Sequence, residues 1–93
     1  MSWRDVSFIL RSGKRKMIIL LLETPRTPTQ LSKLMKASLP NVSLKLGDLV
    51  RRGLVECLNP RESKGRIYRL TERGERVLRM IKRMEGGAGD ESR

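Results

Sequence analysis

Residues 27–53 read TPTQLSKLMKASLPNVSLKLGDLVRRG, and this stretch decides the fold. Thr27 is a good helix N-cap, Pro28 suits the first helical position, and Gln30 stands three residues after the cap, the spacing of a capping box. The pattern predicts a helix to about Ala37, with Leu31, Leu34 and Met35 turned inward. Ser38-Leu39-Pro40 breaks that helix and begins another, with Ser38 as cap and Pro40 in the first turn. The second helix is expected to run to Arg52, burying Val42, Leu46, Leu49 and Val50 at i, i+4, i+7 and i+8. Gly53 follows in the position where helices commonly end on a left-handed residue. Two short helices joined by a turn, the second capped at both ends, make a helix-turn-helix pattern.

Downstream the periodicity changes. Residues 54–58 are strand-like, Asn59-Pro60 opens a polar loop through Arg61 and Gly65, and residues 66–70 return as a second strand. The result is a hairpin with a basic, turn-rich tip. Thr71 with Glu72 begins a last helix, 72–84, whose apolar stripe is Val77, Met80, Ile81 and Met84. Upstream, Ser2 can cap a helix over 3–11 with Trp3, Val6, Ile9 and Leu10 on one stripe. Gly13 interrupts it, and a further helix over 14–23 contains Met17-Ile18-Ile19-Leu20-Leu21-Leu22. Six consecutive apolar residues cannot hide on one stripe, so this helix must be central and touched on several sides. The expected fold is mainly α with a small β-hairpin, a winged helix-turn-helix of five helices and a two-stranded wing.

The chain has 93 residues, enough for one domain, expected over 1–84. A chain of that size buries only about two-thirds of its unfolded surface, so a dimer partner would support it. The net charge is +11, and residues 1–84 alone carry +13 because the last nine, EGGAGDESR, are net acidic. A small body so basic points to a polyanion partner. The tail, 85–93, is expected to be disordered. Histidine is absent and there is one cysteine, which excludes zinc clusters, Ser-His-Asp and Cys-His triads and disulfide frameworks. No cofactor, metal or enzymatic activity is therefore expected. Cys57 reads as a packed, inert thiol. The six-residue apolar run is far short of the roughly 20 residues that span a bilayer. With Arg4, Asp5 and Arg11 interrupting the N-terminal apolar residues, no signal peptide is expected, and the protein reads as soluble, cytoplasmic and nucleoid-associated.

The segments VSLKLGDLVRRGLVECL (42–58), GRIYRLTERGERVL (65–78) and SGKRKMIILLLETPRTPTQLSKLM (12–35) resemble the small archaeal winged helix-turn-helix transcriptional regulators of the ArsR/MarR type. The resemblance covers about residues 8–82. It implies a homodimer that binds double-stranded DNA, with one recognition helix per half-site. In that family the position of Leu44 often holds an arginine or another polar residue.

On this chain the recognition-helix candidates are Asn41, Ser43, Leu44 and Lys45, with Thr29 and Gln30 at the start of the preceding helix. Asn41 can donate and accept toward an adenine edge. Ser43 and Lys45 suit phosphate or base contacts, and Leu44 suits a thymine methyl or a protein interface. Asp48 would repel phosphate unless angled away. Arg61, Lys64 and Arg66 form the basic wing. Arg51 and Arg52 also complement the carbonyl end of their helix. Lys14, Arg15 and Lys16 crowd a helix N-terminus, where cations are unfavourable, and hint at an external anion. Dimer contacts are expected from Trp3, Phe8, Leu78, Ile81 and Met84. The function expected is sequence-specific binding of double-stranded DNA by a homodimeric transcriptional regulator. The alternative is a winged-helix architectural or machinery subunit that binds DNA non-specifically or binds a protein.

Overall fold

A computed structural model of the chain describes the backbone of residues 3–91 and the side chains of residues 3–85. The elements follow as α1 (Trp3–Leu10), α2 (Gly13–Leu21), α3 (Pro28–Met35), α4 (Leu39–Arg51), β1 (Val55–Cys57), β2 (Tyr68–Leu70) and α5 (Glu72–Glu91). Each internal helix start is fixed by a hydroxyl. Ser12 Oγ accepts from the Arg15 amide at 3.3 Å, which makes Gly13 the first residue of α2 rather than a break before it. Thr27 and Gln30 form the expected capping box, with reciprocal bonds of 3.1 and 2.9 Å. Ser38 Oγ accepts from the Asn41 amide, and Thr71 Oγ1 from the Gly74 amide. The proposed Ser2 cap lies outside the described residues.

Two helices end on the same device. At Gly53 (φ 80) the amide bonds to the Val50 carbonyl, and the Leu54 amide to that of Leu49. At Lys36 (φ 53) the amide bonds to the Lys33 carbonyl, and the Ala37 amide to that of Ser32. Both are Schellman caps, which require a left-handed residue. Glycine fills one without penalty; at the other a lysine takes a backbone conformation that costs a side-chain-bearing residue about 1 kcal/mol.

The two strands pair antiparallel with Val55 opposite Leu70 and Cys57 opposite Tyr68. A third piece of backbone joins them: Arg26 exchanges both of its backbone bonds with Tyr68, at 3.1 and 2.9 Å. That bridge ties the approach to α3 directly to the root of the hairpin.

The core is one cluster drawn from every element, among it Val6, Ile9, Ile18, Ile19, Leu31, Leu46, Leu49, Leu54, Val77 and Ile81. α2 touches α1, α3, α4 and α5, as its unbroken apolar run requires. Several residues expected inside are not. Leu34 is 53% exposed and Val50 40%. Val50 lies roughly 80° around the helix from Val42, at the margin of the buried stripe. Trp3 (67%) and Leu10 (43%) also face outward. Conversely, Leu78 and Ile81, expected at a dimer contact, are 7% and 1% exposed within the protomer's own core. α5 continues to Glu91, past the expected end at 84. No proline interrupts residues 85–91, and glycine tolerates helical dihedrals even though it disfavours them. Most of the expected disordered tail (85–93) lies outside the residues whose side chains are described. Among the described residues no helix is long and apolar enough to cross a membrane.

Among the described residues one charged side chain is buried. Asp5, 1% exposed, accepts from Arg73 at 2.6 and 2.8 Å and from Arg52 at 3.2 Å, joining α1 to the end of α4 and the start of α5. The Arg73 hydrogen bonds hold its carboxyl below the ordinary 3.8; burial opposes them, and Arg52 reinforces them. A depressed carboxyl contributes stability that is full above its unfolded value and is lost as pH falls through the folded one. Asp5→Asn should therefore cost about 2–3 kcal/mol at neutral pH, less than a fully buried pair because both arginines can rehydrate. The gap between variant and wild type should begin to narrow below about pH 4, where the unfolded chain's carboxyl takes up a proton, and close as pH falls through the lower folded value. Urea midpoints at pH 7 and pH 3 check this; an equal gap at both would refute it.

Candidate nucleic-acid interface

The outward ridge of α4 has a simple composition. Asn41, Ser43 and Leu44 are exposed and Lys45 is half-buried. The Asn41 amide group, the Ser43 hydroxyl and the Lys45 ammonium have no hydrogen-bond partner among the described residues. Leu44 stands at the crest, 63% exposed. At 3.6 residues per turn, Ser43 and Lys45 lie roughly 100° to either side of it.

An open groove borders each flank of this ridge. On the Asn41–Lys45 side a groove of about 740 Å³ runs between the start of α2 and the α3–α4 turn, with Lys14 and Lys36 on its rim. On the Ser43 side a groove of about 690 Å³ runs between the start of α3 and the hairpin, lined by Thr27, Thr29, Ser43, Lys64 and Arg66. The Arg26–Tyr68 bridge sets the distance between the walls of that second groove, because it holds the α3 entry against β2.

The hairpin tip is ordered from within. Asn59 Oδ1 accepts from the Ile67 amide at 2.7 Å, and its Nδ2 donates to the Gly65 carbonyl at 3.2 Å. Arg66 donates from Nε to Glu62 O at 2.6 Å and from Nη2 to Pro60 O at 3.2 Å. Arg66 is thus committed to bracing the loop, and the wing cations without a partner among the described residues are Arg61 and Lys64. Gln30 is likewise committed, by the capping box, so of the two α3 candidates Thr29 is the one with an uncommitted side chain.

Asp48 does not oppose an anion. It is paired with Arg51 at 2.5 Å and Arg15 at 3.4 Å. Arg15 also stacks on Phe8, 3.9 Å from the ring centroid, and Arg52 stacks on the same ring at 4.5 Å. A ring with two guanidiniums on it is a cation seat. That accounts for Phe8, expected as a dimer anchor, being only half-exposed. Arg15 Nη1 donates to Phe8 O, while Nε is buried without an acceptor. Lys16 pairs with Glu85. Of the three basic residues at the start of α2, only Lys14 has no partner among the described residues. Cys57 is half-buried, its Sγ 3.7 Å from Asn59 Oδ1.

Sequence reasoning overlooked Lys36 and Asn59. Nothing in a single lysine between two helices signals its importance. Asn59 was legible only as a turn former, although Asn-Pro before a glycine-containing loop is where a side chain that bonds across a turn is wanted.

A helix pair joined by a tight turn, an exposed second helix and a hairpin bridged to the start of the first define the architecture. The chain is a winged helix-turn-helix domain. It is similar to FabT of Streptococcus pneumoniae, solved in complex with DNA: TM-score 0.71, 25% identity, over 84% of this chain and 56% of that one. It is similar to reduced MarR of E. coli, with TM-score 0.68 and 26% identity over 81% of this chain and 57% of that one. A homodimeric winged helix-turn-helix DNA-binding domain from Mycobacterium bovis, a possible ArsR-family transcriptional regulator, gives TM-score 0.70 and 29% identity, covering 92% of this chain and 77% of that one. The solved neighbours of this winged-helix domain are thus transcriptional regulators of the MarR and ArsR kinds. The chain spans little more than half the length of the first two. No protein-family model matches it. No curated protein matches it.

Proposed function

We propose that this domain binds double-stranded DNA as a homodimeric transcriptional regulator, with α4 in the major groove and the hairpin on the flanking backbone. The observation that carries this is the α4 ridge: an uncommitted Asn41 amide on an exposed helix, flanked on both sides by grooves whose lysines have no partner among the described residues. Recognition helices read bases mainly through their N-terminal turns, where Asn41 and Ser43 sit. An amide at that place can bond an adenine edge with both of its polar atoms. The proposed mechanism is occupancy of a site, without catalysis, cofactor or metal.

Selection of bound sequences from a random duplex pool tests the reading. A defined consensus supports it, and enrichment no better than the starting pool would sink it. Once the site is known, Asn41→Ala should relax the preference at one base pair, at a cost on the order of 1–3 kcal/mol for the preferred base. Lys64→Ala should weaken binding to all sequences about equally, because phosphate contacts carry little sequence information. A second reading, an architectural or machinery subunit, is favoured by one observation: a leucine, 63% exposed, at the crest of the ridge. That reading gives no consensus in the same selection.

A homodimer needs an interface outside the core. With Leu78 and Ile81 buried, Trp3 and Met84, 67% and 45% exposed, remain as the apolar anchors, and a large aromatic suits an interface centre. Trp3→Glu with Met84→Glu should give a folded monomer in sedimentation at micromolar concentration, with weakened duplex binding. A variant that stays dimeric places the interface elsewhere.

A further inference from the structure

The groove on the Asn41 side is walled by three cations from three elements: Lys14 at the start of α2, Lys36 at the α3 cap and Lys45 on α4. None of their ammonium groups has a partner among the described residues, and no carboxylate lines the groove. Its floor includes Met17 and Met35, against which lysine stems can lie while their charged ends reach solvent. Three like charges around one concavity repel each other unless an anion sits between them. Elsewhere on the surface the chain pairs cations freely: Arg69 with Glu56, Arg76 with Glu72, Lys82 with Glu23.

Lys36 adds a second, independent sign. It holds a left-handed Schellman position that the chain fills with glycine at its other such cap, Gly53. Lysine is the worse residue there for the fold, and a backbone held in an unfavourable region is a pointer to function. The side chain, not the backbone, is then what the position is for. An ammonium is a compact point charge suited to phosphate. The occupant lies beside Asn41 and is continuous with whatever Asn41 reads.

We propose that Lys14, Lys36 and Lys45 clamp the backbone phosphates of one DNA strand along this flank of α4, while the Thr29–Lys64 groove takes those of the other strand. This assignment rests on the duplex-binding reading above, and it makes Lys36 a positioning residue retained against the preference of its own backbone.

The test is Lys36→Gly, for which fold and binding should move in opposite directions. The melting temperature should be equal to or above wild type, since glycine relieves the left-handed position. Duplex affinity of the dimer should fall roughly 10- to 100-fold on all sequences alike, about 3- to 10-fold for each protomer, and the log–log salt slope should shrink by about 1.8, one phosphate contact on each protomer. Lys14→Ala should act in the same direction on affinity and slope, and Lys36→Arg should retain both. Wild-type affinity and slope in Lys36→Gly, with the wild type binding duplex normally, would overturn the clamp while leaving the duplex-binding reading intact. A wild type that binds no duplex removes that reading and the clamp with it. Saturable shifts of the Lys14 and Lys36 amide resonances with inorganic phosphate at constant ionic strength, without an effect of Lys36→Gly on duplex affinity, would mark a small-anion site and overturn the assignment.

Discussion

Gly74→Ala is expected to destabilise the domain by about 3 kcal/mol, at the upper end of what overpacking a core usually costs. For a domain of this size that lowers the melting temperature by roughly 12–24 °C. Helix propensity alone predicts the reverse, since alanine is favoured over glycine in a helix by about 1 kcal/mol. The reason for the inversion is a close approach. Gly74 is buried in the first turn of α5, and a Cβ there would lie 2.0 Å from the Leu54 carbonyl oxygen and 3.3 Å from Leu70 Cβ. The obstacle is backbone that cannot swing aside. The Leu54 carbonyl accepts from the Thr71 amide at 3.0 Å, and the Leu54 amide closes the α4 cap on Leu49 at 3.0 Å. Gly13→Ala is the matched control, with nothing within 4 Å of the added methyl, and should be neutral or mildly stabilising. Thermal melts of the two variants decide the matter; a Gly74→Ala melt at or above wild type would show that α5 can move off Leu54 without penalty.

Duplex affinity should fall by about 10³- to 10⁵-fold between 50 and 200 mM salt if roughly six to ten phosphates are neutralised per dimer. That range follows from the free cations rather than from net charge. Around the proposed interface Lys14, Lys36, Lys45, Arg61 and Lys64 have no partner among the described residues. Arg15, Arg51, Arg52 and Arg73 are held by Asp5 and Asp48. Five such groups on each protomer set an upper bound of about ten contacts, each adding about −0.9 to the slope of log affinity against log salt. Fluorescence anisotropy with a labelled duplex across that salt range measures the slope. A value shallower than −2 would mean that the lysines do not meet the backbone.

The parts of this molecule that could be read from sequence are those fixed by neighbours along the chain. The Thr27–Gln30 capping box, the Ser38 cap and the Gly53 termination each involve residues within a few positions of one another, and all three stand as expected. Angular periodicity did less well. It placed Leu34 and Val50 on the inward side of their helices, but the width of the buried stripe depends on which neighbour covers it. Depth along α5 was invisible for the same reason: Leu78 and Ile81 looked like surplus apolar surface until α5 was seen folded onto the rest. The least readable feature was Asp5, whose partners lie 47 and 68 residues away. In the candidate interface, the outward placement of Asn41, Ser43 and Leu44 on their helix was readable. The commitments of Gln30 and Arg66 to backbone groups were not, because a side chain that braces a loop has the same letter as one that reaches out of it.

The Asp5 cluster has a consequence for how the two ends of the domain open. An isolated helix of eight residues has no stability of its own, and chain ends ordinarily fray independently of the core. α1 cannot come away independently here, because lifting it off strips Arg52 and Arg73 of their acceptor and takes the Phe8 ring from beneath Arg15 and Arg52. Its amide hydrogens are therefore expected to exchange together with those of α4 and the start of α5. A displacement of α1 would bear, through Arg52, on the last turn of the helix that carries Asn41. Residues 3–10 are thus tied to the end of α4 rather than set apart as a terminal flap.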